Sequence, residues 1–435
     1  MDIKKLREDA KEIFMEGVKA VDPYSAVAKA LKESEIEYGK YRAIYVVGAG
    51  KGTAPMAKAV EDTFNERIKE GLINVKYGFS EPLRYIKVIE AGHPIPDNMG
   101  IVGTKKIMHI LNNATEKDLV ISLISGGGSA LLPYPAGKIT LEEKQKLTQL
   151  LLECGASIDE INIVRKHISL SKGGQMAKAA FPATVLNLML SDVVGDRIDI
   201  IASGPFVADP STFRDAKEVL SKYKLISKVP KSIIEYLDSG IAGKVPETPK
   251  PGDKIFKRVI NKIVASNIIA LKACAKKARQ LGYNTIILSS MIEGETKDIA
   301  KMHCAILKEI LNTGNPIKMP ACVISGGETT VTIRGKGIGG RNQEFCLASA
   351  IEIADLPYKA VILSGGTDGN DGPTDAAGGI VDPLTLSLGK EKGIDAKKYL
   401  ENNDSYTFLK NTNSLLITGP TKTNVMDIHI MLCAN

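Results

Sequence analysis

Tryptophan is absent from this 435-residue chain, and aromatic residues make up only 5% of it. Surfaces that bind single-stranded nucleic acid commonly use aromatic side chains for base stacking, and the 57 Lys and Arg residues form no basic stripe. A net charge of +7 therefore suits a small anionic substrate better than a nucleic acid. No apolar run is long enough to span a bilayer, and the charged start MDIKKLREDAKEIF does not resemble a signal peptide. We expect a cytoplasmic protein without nucleic-acid or membrane partners.

The six cysteines include no CxxC pair, and no His/Cys group has the spacing of a zinc site. They are interpreted as reduced, mostly buried residues. Hydrophobic and charged fractions of 44% and 25% are typical of a soluble globular protein. A chain of this length is too long for one ordinary core and predicts two or three domains. The stretch KVPETPKPGD at 244–253 is the best candidate for a linker.

Four apolar segments run directly into glycine-rich stretches. They are IYVVGAGKGT (44–53), ISLISGGGSALL (121–132), ACVISGGETT (321–330) and AVILSGGTDG (360–369). Each pattern predicts a buried strand followed by a turn with exposed amide groups, and such turns collect oxyanions at the carboxyl ends of parallel strands. A plain tight turn is the structural alternative for each segment. The predicted phosphate-binding residues here are Gly48, Gly50, Ser125, Gly126, Gly127, Gly128 and Ser129.

The turn GAGKGT at 48–53 matches neither of two common phosphate motifs. A P-loop needs a longer turn before its lysine, and a dinucleotide fingerprint needs a third glycine where Thr53 stands. Lys51 nevertheless lies among backbone amides, where an ammonium can neutralise a phosphate or carboxylate. A solvated surface lysine is the alternative. We predict that Lys51 is catalytic.

Polar residues in three other stretches are further candidates. His93 lies in the proline-fixed loop AGHPIPD (91–97) and could bind substrate or donate a proton, with a structural hydrogen bond to backbone as the alternative. Arg165 and Lys172 share a helical face, and we predict that Arg165 binds substrate and Lys172 phosphate; a solvated face is the alternative. Asp192 follows an apolar strand, which suits a catalytic carboxylate or a Mg²⁺ ligand. Asn267 opens a helix and is assigned to the phosphate-binding set.

The segment 322–379 has the highest density of chemically active residues. Arg341 opens a helix after several glycines, where its guanidinium can form a fork onto a phosphoryl group, and we predict that it is catalytic. Ser325, Gly326 and Gly327 are predicted to bind substrate. Glu328, Asp368 and Asp371 join Asp192 as candidate metal ligands, although the acidic loop does not fit an EF-hand and Asx turns are the alternative.

These residues together resemble the glycerate 2-kinase family, whose C-terminal part is the MOFRL domain. The resemblance covers most of the chain and rests on ten ordered blocks, which are GAGKG (48–52), AGHPIPD (91–97), SGGGSALL (125–132), RKHIS..KGG (165–174), LSDVVGD (190–196), IASGP (201–205), SGGETTV (325–331), GGRNQE (339–344), SGGTDGNDGPTDAAGG (364–379) and TGPTKTNVMD (418–427). The family's catalytic lysine and arginine fall on Lys51 and Arg341.

The resemblance implies an α/β fold of two domains with the active site in the cleft between them. Residues 1–245 would form a Rossmann-like doubly wound parallel sheet, and residues 246–435 an α/β domain with the MOFRL region at about 320–430. It also implies Mg²⁺-assisted transfer of phosphate from ATP to D-glycerate, giving 2-phosphoglycerate, by a monomer or homodimer; other divalent cations could replace Mg²⁺. Two alternatives are an NAD(P)-dependent hydroxypyruvate reductase and a non-catalytic protein that binds sugar acids or nucleotides.

Overall fold

The computed structural model describes residues 2–354, 356–357 and 359–434, and it divides into two compact units. The N-terminal unit comprises Pro23–Ser191 and Asp196–Val264. The C-terminal unit comprises Met1–Asp22, Asp192–Gly195 and Ala265–Asn435. The beginning of the chain therefore belongs to the C-terminal unit. The boundary at 245/246 remains a prediction.

A six-stranded sheet forms the centre of the N-terminal unit. Its strands are β1 (Ala43–Ala49), β2 (Ile68–Lys76), β3 (Ile86–Ala91), β4 (Asp118–Ile124), β5 (Thr184–Leu190) and β6 (Val259–Ala265). The spatial order is β3-β2-β1-β4-β5-β6, and the pairings from β3 to β5 are parallel. Strands β1 and β4 are buried along their whole length, as their continuous apolar sequences predict. The order is that of a Rossmann-like, doubly wound sheet, so this prediction is confirmed.

Helices accompany this sheet. They are α2 (Pro23–Lys32), α3 (Thr53–Phe64), α4 (Asn98–Asn113), α5 (Gly128–Leu131), α6 (Leu141–Glu153), α7 (Ile158–His167), α8 (Gln175–Ala180), α9 (Phe213–Lys222) and α10 (Lys231–Ile241), with 3₁₀ turns at Tyr38–Lys40, Asn65–Arg67, Ile201–Ser203 and Lys254–Arg258. A further 3₁₀ turn, Val194–Asp196, has its first two residues in the C-terminal unit. Reciprocal capping boxes begin α6, α7 and α9, which explains where these helices start. A separate apolar cluster joins α6, α7, α9 and α10.

The second sheet is mixed. Its strands are β7 (Asn284–Ile287), β8 (Ile292–Glu295), β9 (Ala321–Thr330), β10 (Lys359–Gly366), β11 (Gly378–Val381), β12 (Leu415–Leu416) and β13 (Asp427–Ala434). The order is β12-β11-β10-β13-β9-β7, with β8 also paired to β9. Strand β13 lies antiparallel between β9 and β10. The C-terminal unit is thus an α/β unit, but its sheet is not wholly parallel.

Helices of the C-terminal unit include the first helix of the chain. They are α1 (Ile3–Ala20), α11 (Asn267–Gln280), α12 (Thr296–Thr313), α13 (Arg341–Ile353), α14 (Thr385–Glu391), α15 (Ala396–Glu401) and α16 (Ser405–Asn411). Helix α1 packs on α11, β10 and β13. Tyr283 donates a hydrogen bond of 2.7 Å from its hydroxyl to Asp9, which ties α1 to the rest of this unit.

One of the four predicted glycine turns is wrong. Strand β9 continues through Ser325–Gly327 to Thr330, whereas β10 ends at Gly366 and a turn follows at 367–369. The glycines of β9 serve close packing instead, because a Cβ at Gly327 would lie 2.2 Å from the carbonyl oxygen of Ile292. The turns after β1, β4 and β10 are confirmed.

Candidate active site

The turns after β1 and β4 lie side by side where the order of the first sheet reverses. Strands β1 and β4 are parallel neighbours, and β2 and β5 extend the sheet in opposite directions from them. Ligands of doubly wound sheets bind at such a switch point, outside the carboxyl ends of the strands. The topology therefore brings Lys51 and the segment Ser125–Ser129 to the expected place for a ligand.

Hydrogen bonds hold the two turns together. The Lys51 amide donates to Gly126 O at 2.9 Å, and the Ser125 amide donates to Ala49 O at 3.1 Å. The Ser125 hydroxyl accepts from the Gly52 amide at 3.0 Å. Gly50 has a φ of +145°, and a Cβ there would lie 2.0 Å from Ser125 Oγ. Only glycine fits at this contact.

Free donors face the region around Lys51. Among the residues that the structure describes, the amides of Gly126 and Gly127 have no hydrogen-bond partner. The imidazole of His93 lies against Gly127, because a Cβ at that glycine would be 2.8 Å from His93 Cδ2. Burial and the nearby charges of Lys51 and Lys76 lower the pKa of His93. A neutral imidazole, a lysine and two amides form a site suited to an anion.

Ser129, which follows the glycine turn, contacts a second turn whose backbone is strained. Its hydroxyl is 3.0 Å from that of Ser203, which donates to Asn162 Oδ1 at 2.7 Å. Ala202 and Ser203 have φ values of +51° and +61°, which non-glycine residues rarely adopt. Strain of this kind clusters at functional sites. The IASGP block at 201–205 thus shapes one wall beside the glycine turn.

The predicted Arg165 and Lys172 lie together with a lysine that the sequence reasoning missed. Burial, and then the charges of Lys144 and Arg165, lower the pKa of Lys172 well below its usual value. Burial and Arg165 lower the pKa of Lys144 to about 8. The signal for Lys144 was present in the sequence, since it occupies the buried face of α6 between Leu141 and Leu147.

In the C-terminal unit, Arg341 forms the first residue of α13 and is held by two carboxylates. Its guanidinium donates to both oxygens of Asp427, at 2.5 and 3.1 Å, and to Glu328 at 2.7 Å. Burial opposes protonation, but the charges of Asp427 and Glu328 outweigh it and raise the pKa of Arg341. Arg341 remains 32% exposed, whereas Asp427 is fully buried. Sequence reasoning assigned no role to Asp427, although it ends the block TGPTKTNVMD and begins an apolar strand.

A buried polar chain extends from Asp427 into the core. Asn342 donates from Nδ2 to Asp427 at 2.8 Å and accepts from the Ser364 hydroxyl at 2.6 Å. Ser364 Oγ also lies 2.8 Å from Nδ1 of His429. Burial raises the pKa of Asp427 to about 7, against the pull of the Arg341 charge. This chain fixes the orientation of Asp427, and therefore of Arg341.

Other predicted residues of this unit are occupied by structural contacts. Asp371 accepts the amides of Asn342 and Gln343, at 3.1 and 2.8 Å, and so caps α13. The Ser325 hydroxyl is buried and lies 2.7 Å from His303 Nε2. Asn267 donates to the carbonyls of Val425 and Asp427, both at 2.9 Å, and packs against Gly326. Their roles in binding remain predictions.

The predicted metal ligands do not form a recognisable metal site in the described part of the chain. The part of the chain that the structure describes contains no group of three His, Cys, Asp or Glu residues that could hold a metal ion. Asp192, Glu328 and Asp368 all belong to the C-terminal unit, and each is at least partly exposed. Mg²⁺ commonly takes only one or two carboxylates and completes its shell with phosphate oxygens and water. Since the described residues bring no such group together, the role of these three carboxylates as metal ligands remains a prediction.

Two family models match successive parts of the chain. Residues 9–238 match a domain of unknown function, DUF4147, and residues 321–427 match the MOFRL family. In the residues that the structure describes, no helix is long and apolar enough to cross a membrane. The class is thus a two-part α/β protein that combines a DUF4147 domain with a MOFRL domain.

Full-length relatives specify the family. The chain is 47% identical to the glycerate 2-kinase of Pyrococcus horikoshii, over 98% of this chain and 97% of the relative. A solved glycerate kinase from Thermotoga maritima is 41% identical, covers 99% of this chain and 100% of its own, and gives a TM-score of 0.92. A putative hydroxypyruvate reductase from Agrobacterium vitis is 40% identical, over 98% of this chain and 94% of its own. The chain belongs to the glycerate 2-kinase family, as its ten sequence blocks predict.

Proposed function

We propose that the protein transfers the γ-phosphoryl group of ATP to the C2 hydroxyl of D-glycerate, giving 2-phosphoglycerate and ADP. The observation that carries this proposal is the pair of glycine turns at the switch point of β1 and β4, with Lys51 beside Gly127. In the described part of the chain, the amides of Gly126 and Gly127 have no hydrogen-bond partner. The substrate is taken from the glycerate kinases to which the chain is similar. Phosphoryl transfer needs mainly positioning and compensation of charge, which this geometry can supply.

Lys51 and the first glycine turns are proposed to bind phosphate. The amides of Gly126 and Gly127 donate to phosphate oxygens, and the ammonium of Lys51 neutralises charge that develops during transfer. Gly48, Gly50 and Gly128 allow the close packing of the two turns, while Ser125 and Ser129 hold their shape. His93 presents a neutral imidazole beside Gly127, and we assign it to the acceptor substrate.

Arg341 is proposed as the second catalytic cation. Asp427 and Glu328 take three of the five N–H groups of its guanidinium, so donors remain for a phosphoryl oxygen. The paired oxygens of Asp427 fix the guanidinium plane before any ligand binds. Ser325, Gly326, Gly327 and Asn267 are proposed to act through packing around this arrangement, because the structure uses their polar groups internally.

Mg²⁺ is proposed as a cofactor that neutralises phosphate charge when it is bound with the nucleotide. The residues that would hold it are Asp192, Glu328 and Asp368. Asp371 is left out because both of its carboxylate oxygens already accept hydrogen bonds from amides of α13. Asp192 is also proposed to accept the proton of the C2 hydroxyl. The cytoplasmic location and the monomeric or dimeric state remain predictions.

Hydroxypyruvate reduction is the second candidate, because it is the name of the Agrobacterium vitis relative. The turn at 48–53 argues against it, since Thr53 replaces the third glycine of a dinucleotide fingerprint.

Product analysis distinguishes the two reactions. The full chain is incubated with D-glycerate, ATP and Mg²⁺ and, separately, with hydroxypyruvate and reduced nicotinamide cofactor. The proposal expects a phosphorus NMR signal of 2-phosphoglycerate and one ADP for each phosphoglycerate formed. Loss of reduced-nicotinamide absorbance without ADP formation would instead establish the reductase. A product phosphorylated at C3 would refute the proposed position.

A further inference from the structure

Three cationic side chains converge inside the N-terminal unit. Lys144 comes from α6, Arg165 from α7, and Lys172 from the segment after α7. Lys144 and Lys172 are only 4% and 1% exposed. Helices α6 and α7 pack on each other through a shared apolar cluster, which places Lys144 and Arg165 on neighbouring elements. Burial and then the charge of Arg165 lower the pKa of Lys144, and burial and then the charges of Lys144 and Arg165 lower that of Lys172, as expected of close neighbours. We call them the cation cluster.

No carboxylate compensates this cluster among the residues that the structure describes. Lys172 donates one hydrogen bond, to Ser129 O at 2.8 Å, and the side chains of Lys144 and Arg165 donate none in that part of the chain. The neighbouring Lys166 shows the usual arrangement, since it is also buried but lies 3.5 Å from a carboxylate oxygen of Asp209. Burying unpaired charge is costly, so a cluster of this kind is built for an anionic ligand.

The cluster adjoins the glycine turn after β4. Lys172 contacts the carbonyl of Ser129, and the Ser129 hydroxyl continues through Ser203 to Asn162. Asn162 lies three residues before Arg165 on α7, so its side chain is on the neighbouring face of the same helix. An anion in the cluster would therefore lie beside the amides proposed to hold phosphate.

We propose that Lys144, Arg165 and Lys172 form one binding site for the carboxylate of the sugar-acid substrate. The inference rests on the proposed function and deepens it. In a 2-hydroxy acid, the reacting hydroxyl is on the carbon that carries the carboxylate, so a carboxylate site must adjoin the phosphate site. Enclosed side chains suit a small group better than a nucleotide, and a guanidinium matches a carboxylate with two parallel bonds.

This assignment revises the sequence prediction, which divided Arg165 and Lys172 between sugar acid and phosphate. It also adds Lys144, which no sequence motif includes. The depressed pKa values supply a signature, because a bound carboxylate favours the protonated lysines. Binding of D-glycerate should therefore take up protons from the buffer near pH 8.

The test compares Lys144→Met with the matched variant Lys146→Met, which changes an exposed lysine on the same helix. Loss of one charged contact is worth about 10-fold or more in binding. We expect Lys144→Met to raise the KM for D-glycerate by at least that factor and to leave the KM for ATP unchanged. Lys146→Met should alter neither value. Calorimetry in two buffers of different ionisation heat should show less proton uptake for Lys144→Met than for the unmodified protein.

Two results would overturn the inference. A raised KM for ATP with an unchanged KM for D-glycerate would assign the cluster to the nucleotide, and unchanged values for both would deny it a binding role. If Lys144→Met does not fold, the unmodified protein provides the test with D-glyceramide, which lacks the carboxylate charge. An equal kcat/KM for glyceramide and glycerate would contradict a carboxylate site. Turnover of D-glycerate by the unmodified protein tests the proposed function separately.

Discussion

The guanidinium of Arg341 is held to the carboxylate of Asp427 by two hydrogen bonds, Nε to Oδ2 at 2.5 Å and Nη2 to Oδ1 at 3.1 Å. Asp427 begins β13 and Arg341 begins α13, so the pair joins two elements that are 86 residues apart in the chain. Asn342 holds the same carboxylate from the next position of the helix. The orientation of Arg341 is therefore set by the fold before a ligand arrives.

Replacing Arg341 by lysine tests this orientation. Lysine keeps the charge but cannot form the paired bonds to Asp427. We expect Arg341→Lys to lower kcat for D-glycerate phosphorylation by roughly 100-fold, a loss typical of one stabilising donor. Steady-state kinetics would measure it, with Arg334→Lys, at an exposed arginine, as the matched control. Equal kcat values for the two variants would contradict a catalytic role.

The pH dependence of turnover tests Asp427. Burial raises the pKa of this carboxyl to about 7, so Asp427 becomes protonated as the pH falls through that value. The protonated carboxyl no longer forms an ion pair with Arg341. We expect kcat of the unmodified protein to decline below pH 7. The Asp427→Asn variant should have a lower kcat throughout and no decline at that pH. If kcat of Asp427→Asn still declines below pH 7, the decline comes from another group and the prediction for Asp427 is wrong.

Lys51 is tested by removing its ammonium. Lys51→Ala should lower kcat by roughly 10²–10³-fold, since a charge directed at the transferring group stabilises the transition state. Lys58→Ala on the following helix is the control, because that lysine is partly exposed and pairs with Asp62. Initial rates of ADP formation would give both values. Turnover of Lys51→Ala comparable to that of the control would remove Lys51 from the mechanism.

Gly50 is predicted to be required for stability as well as for shape. Alanine there combines a φ of +145° with a Cβ 2.0 Å from Ser125 Oγ, so we expect Gly50→Ala to destabilise the protein by roughly 3 kcal/mol or more. Gly78→Ala is matched, since φ is +79° but no atom lies within 4 Å, and it should cost about 1 kcal/mol. Denaturant unfolding of both variants would show whether the close packing of the two turns exists in solution.

Lys144 should destabilise the fold in a pH-dependent way. Its pKa falls from 10.5 to about 8 on folding, so between these values the unfolded chain binds the proton and the folded chain does not. Stability from this group therefore rises as the pH increases from 8 to 10.5. Below pH 8 we expect Lys144→Met to be more stable than the unmodified protein by about 3 kcal/mol, from about 1.36 kcal/mol per unit.

Thermal unfolding of both proteins at several pH values would measure this difference. The difference in stability between Lys144→Met and the unmodified protein should narrow steadily as the pH rises above 8. A constant gap, or a less stable Lys144→Met variant, would show that Lys144 contributes packing and not an uncompensated charge.

Local patterns predicted the two glycine turns of the N-terminal unit. The turn containing Lys51 and the turn at Ser125–Gly128 depend on strands of continuous apolar residues followed by glycine, and both features are encoded within a few residues. Parallel pairing of β1 and β4 then brings the two turns together. The family resemblance supplied the activity and was confirmed by relatives that match along the whole chain.

Long-range contacts account for most of what the sequence did not reveal. A glycine within a strand and a glycine after a strand look alike locally, so the continuation of β9 past Ser325 required knowledge of its neighbours. The same holds for Asp427, whose partner is 86 residues away. Lys144 was overlooked because a lysine on an amphipathic helix is normally solvated, and only its place on the apolar face marked it as unusual.

Helix α1 precedes the other elements in chain order but packs on α11, β10 and β13, which all follow residue 265. During synthesis these partners become available only after more than half of the 435 residues have left the ribosome. Shortening an expression clone at the amino end would accordingly damage the distant MOFRL core, where Phe14 packs against Gly365. If the chain is cut near residue 245 and the halves are expressed separately, the C-terminal fragment lacks α1 and its core is exposed. The N-terminal fragment then carries α1 without the elements on which it packs.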